Sequence, residues 1–515
     1  MVLASETPPN APSSAPQTFY IREYRVEGAH RLKSVEVEAA VYPFLGPGRR
    51  AEDVEGARLA LENAYKAKGF QTVSVEIPPQ SARGGVVVLH VVENTVGRLR
   101  VKGSRYFSLG QIKKGAPSLA EGKVVDFNEV TKDIVALNQL PDRRVTPELR
   151  PGVEPGTVDI DLNVKDTLPL HGSIELNNRY SVGTTDLRLN GSVSYSNLWQ
   201  LGHSAGVSFQ VAPERLADAE VYSGFYTMRF PAINWLSWTL QGTKQNSNVS
   251  TLGGIDTAGR GQIVGTRIGI TLPAGREFFH SLSFGADYKH FDQNVTIAGV
   301  QSVTPVTYFP ISANYNATWV RKGELTELNA GVTFHLRGTG SDPASFDAKR
   351  FNADGSFLYV RGDLSHSHDL PLGLQIYGKV QGQASGEPLL DSEEFAAGGT
   401  STVRGYLESA ALGDNALFGT IELRTPSLLG WMKDNNEGRA DEWRFYVFCD
   451  GGFLTLNDPL PEQTSRFNLA SIGVGSRIRL LDHLNGSIDA GMPLISQSPT
   501  TAHSLLLTFR LWADF

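Results

Sequence analysis

Alternation of apolar and polar residues along the C-terminal part of the chain limits its fold more than any other feature. From about residue 168 to residue 515, alternate positions are apolar, and the positions between them hold small polar or charged residues. Leu282, Phe284, Ala286 and Tyr288 show the pattern clearly. A period of two places successive side chains on opposite faces of a β-strand. The pattern therefore predicts strand after strand, each with one apolar face.

Two architectures contain such strands, the soluble β-sandwich and the transmembrane β-barrel. The polar face here is uniformly small and hydrophilic over residues 168–515, which favours lipid outside and water inside a barrel. No apolar run approaches the roughly 18 residues that a spanning helix needs. One strand with its connection in about 22 residues would give a barrel of about 16 antiparallel strands.

The N-terminal part follows a different pattern, and it occurs twice. Residues 1–18 contain four prolines and predict a flexible segment. Residues 19–94 and 95–167 each predict the order βααββ, which is an α+β domain. The predicted helices are Val35 to Leu45 and Ala51 to Lys68 in the first repeat, and one near Leu109 and one from Phe127 to Leu140 in the second.

Charge and motif content point away from catalysis. The net charge of -7 gives no general case for nucleic-acid binding, and the single Cys449 excludes a multi-cysteine metal site. No nucleotide-binding loop or nucleophile elbow is present. His366 to Asp369 predicts a polar turn rather than a metal site, and Arg361 to Asp363 predicts polar residues at a strand end. We therefore predict no enzyme activity, no cofactor and no metal.

One stretch interrupts the strand pattern, Gly398 to Asp414, and it contains Val403-Arg404-Gly405-Tyr406. On a nearby predicted strand, Trp443, Phe445, Val447 and Cys449 share an apolar face. Asp450 therefore lies on the opposite, lumenal face with Arg444, Tyr446 and Phe448. The same reasoning on Ile472, Val474 and Ile478 turns Arg477 inward. Position alone favours an ordinary solvated loop charge for Arg404 and a strand-end carboxylate for Asp450.

Several short motifs, in this order, carry a resemblance to a known family that covers residues 19–515. They are Tyr65 to Phe70, Ile77 to Gln80, Leu137 to Arg143, Gly398 to Asp414, Glu422 to Pro426 and Phe448 to Gly452. The chain resembles the Omp85 superfamily and, within it, the TpsB transporters of two-partner secretion. Its terminal strand, with Phe509, Leu511 and Phe515 on one face, resembles the assembly signal of bacterial outer-membrane proteins.

The resemblance implies an architecture and a location. The repeats at 19–94 and 95–167 would be POTRA domains in the periplasm, and 168–515 would be a barrel in the bacterial outer membrane. A loop at 394–415 would enter the lumen, with Arg404 at its tip facing Asp450. We name Val403, Arg404, Gly405, Tyr406 and Asp450 the loop lock. Further lumenal charges would be Arg444, Arg477 and Glu422.

The resemblance also implies partners and a function. The POTRA domains would capture an unfolded exoprotein, which would leave through the barrel without nucleotide hydrolysis. The partners would be that exoprotein, the lipid bilayer and the outer-membrane assembly machinery, with no nucleic acid, and the chain would be a monomer. Two alternatives stay open, an outer-membrane protein insertase of the same superfamily and a passive porin.

Overall fold

A computed structural model describes residues 18–81, 84–230, 233–250, 257–292, 294–297, 300–303, 305–430 and 441–515. The chain divides into two compact units, Met1–Leu168 and Pro169–Phe515. The flexible segment predicted at 1–18 lies almost wholly outside the described residues. Among the described residues, no helix is both long and apolar enough to cross a membrane.

The first unit contains eight strands and four α-helices in its described part. Its elements are β1 (Phe19–Ile21), β2 (Glu23–Glu27), α1 (Ser34–Val41), β3 (Gly46–Arg49), α2 (Ala51–Ala67), β4 (Val73–Glu76), β5 (Val86–Glu93), β6 (Thr95–Lys102), α3 (Leu109–Lys114), α4 (Phe127–Leu137), β7 (Arg143–Pro151) and β8 (Thr157–Asp166).

Each repeat builds one three-stranded sheet, in the order β2–β5–β4 in the first and β6–β8–β7 in the second. The central strand of each sheet, β5 or β8, is the last of its repeat in the sequence. It pairs in parallel with β2 or β6 on one side and antiparallel with β4 or β7 on the other. Helix α2 buries Ala57, Leu61 and Tyr65 completely against the first sheet. The periodicity predicted this helix, whereas the short ribbon of β1 and β3 was not predicted.

The two repeats fix the turn after their first strand in the same way. Gly28 and Gly103 have φ of +81° and +82°, and an added Cβ would lie 2.4 Å and 2.5 Å from the carbonyl oxygens of Val91 and Val164. Only glycine fits such a position. A carboxylate then closes each turn from the end of the last strand.

In the first repeat that carboxylate is Glu93, which accepts hydrogen bonds from the main-chain N–H groups of His30 and Arg31, each at 2.7 Å. In the second it is Asp166, which accepts from Arg105 and Tyr106, each at 2.9 Å. Partial burial acts to raise the pKa of Asp166, but these donors outweigh it and lower the pKa.

The second unit is a closed antiparallel barrel of 16 strands, which confirms the predicted fold class. Its wall consists of β9 (Leu170–Asn177), β10 (Arg188–Leu198), β11 (His203–Val211), β12 (Ala219–Phe230), β13 (Ile233–Ser250), β14 (Thr257–Thr271), β15 (Phe278–Phe291), β18 (Val306–Tyr308), β19 (Ile311–Arg321), β20 (Glu324–His335), β21 (Phe357–Asp369), β22 (Gln375–Ser385), β25 (Asn415–Arg424), β26 (Glu442–Thr455), β27 (Arg466–Leu480), β28 (Leu484–Pro493) and β29 (Leu506–Asp514).

Two of these segments form one interrupted strand. Both β18 and β19 pair with β15, and Pro310 lies between them. Proline has no N–H to donate to the neighbouring strand, so it breaks the ladder locally. In the part of the chain that the structure describes, the connections of the barrel contain the short strands β16 (Asn294–Ile297), β17 (Val300–Val303), β23 (Phe395–Ala397) and β24 (Ala411–Gly413), the helix α5 (Pro343–Asp347) and short 3-10 turns.

The barrel wall shows the predicted alternation. On β26, Phe445 and Val447 are exposed, whereas Tyr446, Phe448 and Asp450 are buried inside. Cys449 is exposed on the outer face. Ile174, Phe284, Val360, Leu417, Val474 and Leu511 belong to the same outward apolar belt. A lipid-facing outer surface explains why so many large apolar side chains stay exposed.

One local prediction was wrong. His366 to Asp369 forms no turn, because β21 continues through Asp369. His366 and His368 each lie opposite a residue of β20, namely Thr326 and Glu324. Thr326 shares a hydrogen bond with His366 at 2.7 Å. Among the described residues, no group of three or more His, Cys, Asp or Glu side chains could hold a metal ion.

The barrel closes where β9 pairs with β29. Glu175 accepts two hydrogen bonds from Arg510 across this seam, at 3.0 and 2.7 Å. The main chains of Gly172 and Phe515 exchange two more, at 3.2 and 3.0 Å. The ring of Phe515 lies so close to Gly172 that an added Cβ would be 2.3 Å from it. An aromatic ring that covers a glycine in the neighbouring strand stabilises the pairing of the two strands.

We expect Gly172→Ala to displace the Phe515 ring and to destabilise the seam by about 1 kcal/mol. The measurement is the temperature at which the folded barrel loses its fast migration in SDS gels, which should fall by a few degrees. Gly242→Ala is the control, because Gly242 also lies in a strand and its nearest neighbour would be 4.0 Å from the new Cβ. Equal melting of the two variants would contradict a stabilising role for the ring.

Candidate functional site: the loop inside the barrel

The connection between β22 and β25 runs from residue 386 to residue 414 and folds into the barrel lumen. Its two arms pair with each other, since β23 and β24 form a short ladder from Phe395 opposite Gly413 to Ala397 opposite Ala411. Phe395 also stacks on Phe418 of the wall, with ring centroids 5.8 Å apart. The loop is therefore an ordered arm with its own secondary structure and its own apolar contacts.

Glycine and threonine shape the turn that leads to the tip. Gly399 has φ of +87°, and an added Cβ would lie 2.2 Å from a carboxylate oxygen of Glu408. The Thr402 hydroxyl accepts a hydrogen bond from the Gly398 N–H at 2.8 Å and donates one to the Gly398 carbonyl at 3.1 Å. Arg179 donates to Glu408 at 2.7 Å, which ties the turn to the segment after β9.

Arg404 lies at the tip and makes a dense set of charged contacts. Its Nε and one Nη bond the two oxygens of Asp450, each at 2.8 Å, and its own main-chain N–H donates to Asp450 at 3.1 Å. The other Nη donates to Glu422 at 2.6 Å. Such a two-pronged contact between a guanidinium and a carboxylate fixes direction as well as distance.

Two further groups surround the guanidinium. An oxygen of Asp489 lies 3.6 Å from the Arg404 Nη atom, and the Phe448 ring centroid lies 3.6 Å from its Cζ. The side chains of Arg404 and Asp450 are 5% and 1% exposed. A charge this enclosed needs partners, because its removal from water costs several kcal/mol per ion. Asp450, Glu422 and Asp489 supply those partners.

The residues beside Arg404 complete the loop lock. Gly405 has φ of +88°, and an added Cβ would lie 3.1 Å from the main-chain carbon of Gly491. The Tyr406 hydroxyl lies within hydrogen-bond distance of the carbonyl oxygens of Ile495 and Ala470, at 2.6 and 3.1 Å. Val403 is fully buried. The structure thus brings all the residues of the predicted loop lock into contact with the wall or with each other.

The predicted lumenal charges divide into two groups. Glu422 accepts from Arg404 and from Arg424, the latter at 2.7 Å, and Arg477 lies 3.6 Å from it. Arg444 is different, since it pairs with Glu442 on its own strand. Arg444 is therefore a lumenal charge by strand position but is not part of the cluster around Arg404.

Sequence reasoning missed one member of that cluster, Asp489, and for Phe448 it predicted the inner face but not the contact with Arg404. Asp489 follows the exposed Ile488 on β28, so alternation would have turned it inward. Phe448 was assigned to the inner face, but its position under the guanidinium depends on how far the loop descends. That depth is a tertiary property that local pattern does not contain.

A second cluster, also unpredicted, holds the first arm of the loop. Glu393 is almost fully buried and accepts hydrogen bonds from Lys289, Tyr308 and Tyr359, at 2.5, 2.5 and 2.9 Å. Arg361 donates to the main-chain carbonyl of Glu393 at 3.1 Å. Arg361 was expected to be a polar residue at a strand end, but it lies within β21 and contacts the loop.

The second arm is held by a third set of contacts. Asp414 accepts from the main-chain N–H groups of Leu389 and Asn457, each at 2.7 Å, and from Arg350 at 3.2 Å. Leu389 belongs to an apolar cluster with Phe346 of α5. Both arms are therefore fixed near the wall, and the tip is fixed separately by Arg404.

A polar cavity of about 520 Å³ lies beside the tip. Its lining is shared by the loop and the wall and includes Ser401, Arg404, Lys379, Arg477, Asp489 and Arg510. The geometry is that of a loop held in a hydrophilic channel.

The closed barrel, the α+β repeats and the loop held inside the lumen define an outer-membrane transporter of the POTRA-containing β-barrel class. A family model described as haemolysin secretion/activation protein ShlB/FhaC/HecB matches residues 156–478, and a model of the ShlB-type POTRA domain matches residues 19–94. The chain belongs to this family, so it is an outer-membrane protein whose POTRA domains are periplasmic.

Individual relatives agree with that assignment. An outer membrane transporter CdiB of Escherichia coli is 22% identical over 93% of this chain and 79% of its own length. CdiB of Dickeya dadantii is 22% identical over 79% of this chain and 72% of its own length. The solved structure of CdiB from Escherichia coli has a TM-score of 0.67 at 21% identity, and covers 99% of this chain and 93% of its own.

A more distant barrel shares the fold alone. BamA from Haemophilus ducreyi, solved without its POTRA domains 1–3, has a TM-score of 0.56 at 12% identity, over 96% of this chain and 100% of that one.

We expect Gly405→Ala to unseat the tip of the loop. The new Cβ would press on Gly491, and φ of +88° costs a residue with a side chain about 1–2 kcal/mol. Purified protein in planar bilayers should then show a larger mean ion conductance. Gly386→Ala is the control in the same loop, because nothing lies within 4 Å of its added Cβ. Unchanged conductance in Gly405→Ala would mean that the tip does not restrict the channel.

Proposed function

We propose that this transporter captures an unfolded exported polypeptide in the periplasm and passes it through the barrel lumen, and that the loop lock controls the passage. The contact set of Arg404 carries the proposal. A loop that serves only to connect two strands needs no buried guanidinium with three carboxylates around it, because exposed polar residues would connect them at lower cost.

The position of the loop supports a gating role. Residues 386–414 occupy the lumen, so a polypeptide can pass only if the loop moves or leaves room beside it. The wall and loop residues around the cavity are Ser, Thr, Lys, Arg, Glu and Asp in large part. Such a lining offers an extended chain hydrogen bonds and little apolar surface to which it would adhere.

The POTRA domains supply the means of capture. Each is a small sheet with helices on one face, and a strand at the edge of a sheet can pair with an added extended chain. An unfolded polypeptide presents such segments without prior unfolding. Capture through main-chain hydrogen bonds also explains how one receptor could hold many different stretches of one long cargo.

The energy source in this proposal is the folding of the cargo outside the cell. The sequence has no nucleotide-binding motif, and the family to which it belongs consists of transporters. A chain that folds after it emerges cannot slide back through the lumen. Successive segments are therefore drawn outward as folding proceeds.

We expect Arg404→Ala to reduce secretion at least tenfold while the barrel still assembles. The substitution leaves Asp450, Glu422 and Asp489 without their shared cation, and removal of one partner from a buried ion pair costs about 3–5 kcal/mol. The cargo is defined as the large polypeptide that disappears from the culture medium when this chain is deleted. Secretion is its amount in the medium, and assembly is heat-dependent migration in SDS gels.

Arg444→Ala is the matched control, since Arg444 pairs with Glu442 on the same strand. Its secretion should stay near the native level. Normal secretion by Arg404→Ala would remove the loop lock from the mechanism. Loss of many outer-membrane proteins on deletion of the chain, instead of one secreted polypeptide, would indicate an insertase.

A further inference from the structure

The two POTRA sheets have four outer edges, on β2, β4, β6 and β7. Capture of an extended chain by strand addition needs an edge whose outward N–H and C=O groups are free. The chain covers most of these groups itself. Which edge it leaves open decides where a cargo segment can pair.

The edge of β7 is the most completely closed. Asp142 accepts from Thr167 at 2.9 Å, so by the alternation of an antiparallel ladder the odd-numbered positions of β7 face outward. At Val145, the side-chain amide of Asn138 bonds both main-chain groups, at 2.7 and 3.0 Å. Pro147 and Pro151 have no N–H to offer.

Within the described residues, the remaining outward positions of β7 add only one free N–H donor. Arg143 already donates its N–H to Leu140 at 3.3 Å. Among the outward positions of this strand, Leu149 alone keeps an N–H with no partner in the described part of the chain. One donor does not support a ladder, so an added strand has almost nothing to bind there.

The first sheet uses the same device beside β4. This strand ends at Glu76, and the amide of Gln80 then bonds both main-chain groups of Val88 on β5, each at 2.7 Å. Along β4 itself, the Val73 N–H donates to Phe70 at 3.5 Å and the Val75 carbonyl accepts from Arg58 at 3.3 Å. This edge is only four residues long, and at each of its two outward positions one main-chain group is already bonded.

The edge of β6 is covered along its first half. Val96 donates to Lys123 and accepts from Gly122, both at 2.8 Å. The Leu99 N–H donates to the side chain of Glu121 at 3.1 Å. Only the last residues of this strand remain.

The edge of β2 differs from the other three. Strand β3 pairs with β1 and not with β2, and the main chain of Glu23–Glu27 has no hydrogen bond from a side chain in the described residues. Its solvent face carries Glu23, Arg25 and Glu27, with Arg25 paired to Glu23 at 3.3 Å. An added strand with a basic residue would complement the two carboxylates that flank Arg25.

We propose that β2 is the edge at which the cargo pairs, because Asn138 and two prolines close β7, Gln80 takes the place of a longer β4, and β6 is covered along its first half. The occupant is an extended, proline-free segment of the exported polypeptide that carries a basic residue. This rests on the proposed function, since it specifies where the capture step occurs. It also gives a role to two of the motifs that carry the family resemblance, Ile77 to Gln80 and Leu137 to Arg143.

The test is photo-crosslinking in intact cells with the full-length chain. Arg25 on β2 or Thr146 on β7 is replaced by p-benzoylphenylalanine, and both are exposed residues of edge strands. The cargo is again the polypeptide that leaves the medium when the chain is deleted. Only variants that still secrete it are compared, which excludes misfolded protein from the result.

We expect at least a fivefold higher yield of the cargo adduct from position 25 than from position 146. An equal or higher yield from position 146 would overturn the assignment of β2 and leave capture by the POTRA domains intact. Normal secretion with no adduct from either position would overturn the assignment of β2 and also capture by the POTRA domains. An adduct from position 25 with a second copy of this chain, and none with cargo, would also overturn the assignment.

Discussion

The enclosure of one guanidinium by three carboxylates is the interaction on which the interior of this barrel depends. Arg404 is held by Asp450, Glu422 and Asp489, and it lies on the face of Phe448. A buried ion cluster of this kind contributes little net stability compared with apolar packing, but it tolerates very few geometries. The cluster therefore selects one position for the loop among many that would fill the lumen equally well.

The two arms of the loop are held to the wall separately from its tip. Its two arms are fixed near the wall through Glu393 and Asp414, and β23 and β24 join them into a ribbon. Because the arms are held independently of the tip, release of Arg404 need not detach the whole loop. In the proposed gating, a loop whose arms stay ordered loses little conformational entropy when Arg404 binds again, whereas a fully released loop would lose much more.

Much of this arrangement is encoded in local pattern. Alternation alone turns Asp450 inward and Cys449 outward, and it would have turned Asp489 inward as well. The descent of the loop is not local, and the sequence indicated it only by resemblance to a family. The anchor of Glu393 was invisible because Lys289, Tyr308 and Tyr359 lie far from it in sequence. The motifs that contain Gln80 and Asn138 did not reveal that these amides bond the main chain of a strand where another strand could pair. Those hydrogen bonds depend on the folded sheet and not on local sequence.

The seam between the first and last strands also constrains how the molecule can be made. Arg510 and Glu175 are separated by 335 residues, and the ring that covers Gly172 belongs to Phe515. Contacts so distant in sequence form slowly, because the chain loses the entropy of closing a long loop before these contacts stabilise it. Until then the edges of β9 and β29 are open to pairing with other chains. Assembly of this barrel therefore requires that the unpaired edges of β9 and β29 stay free of other chains until the two strands pair with each other.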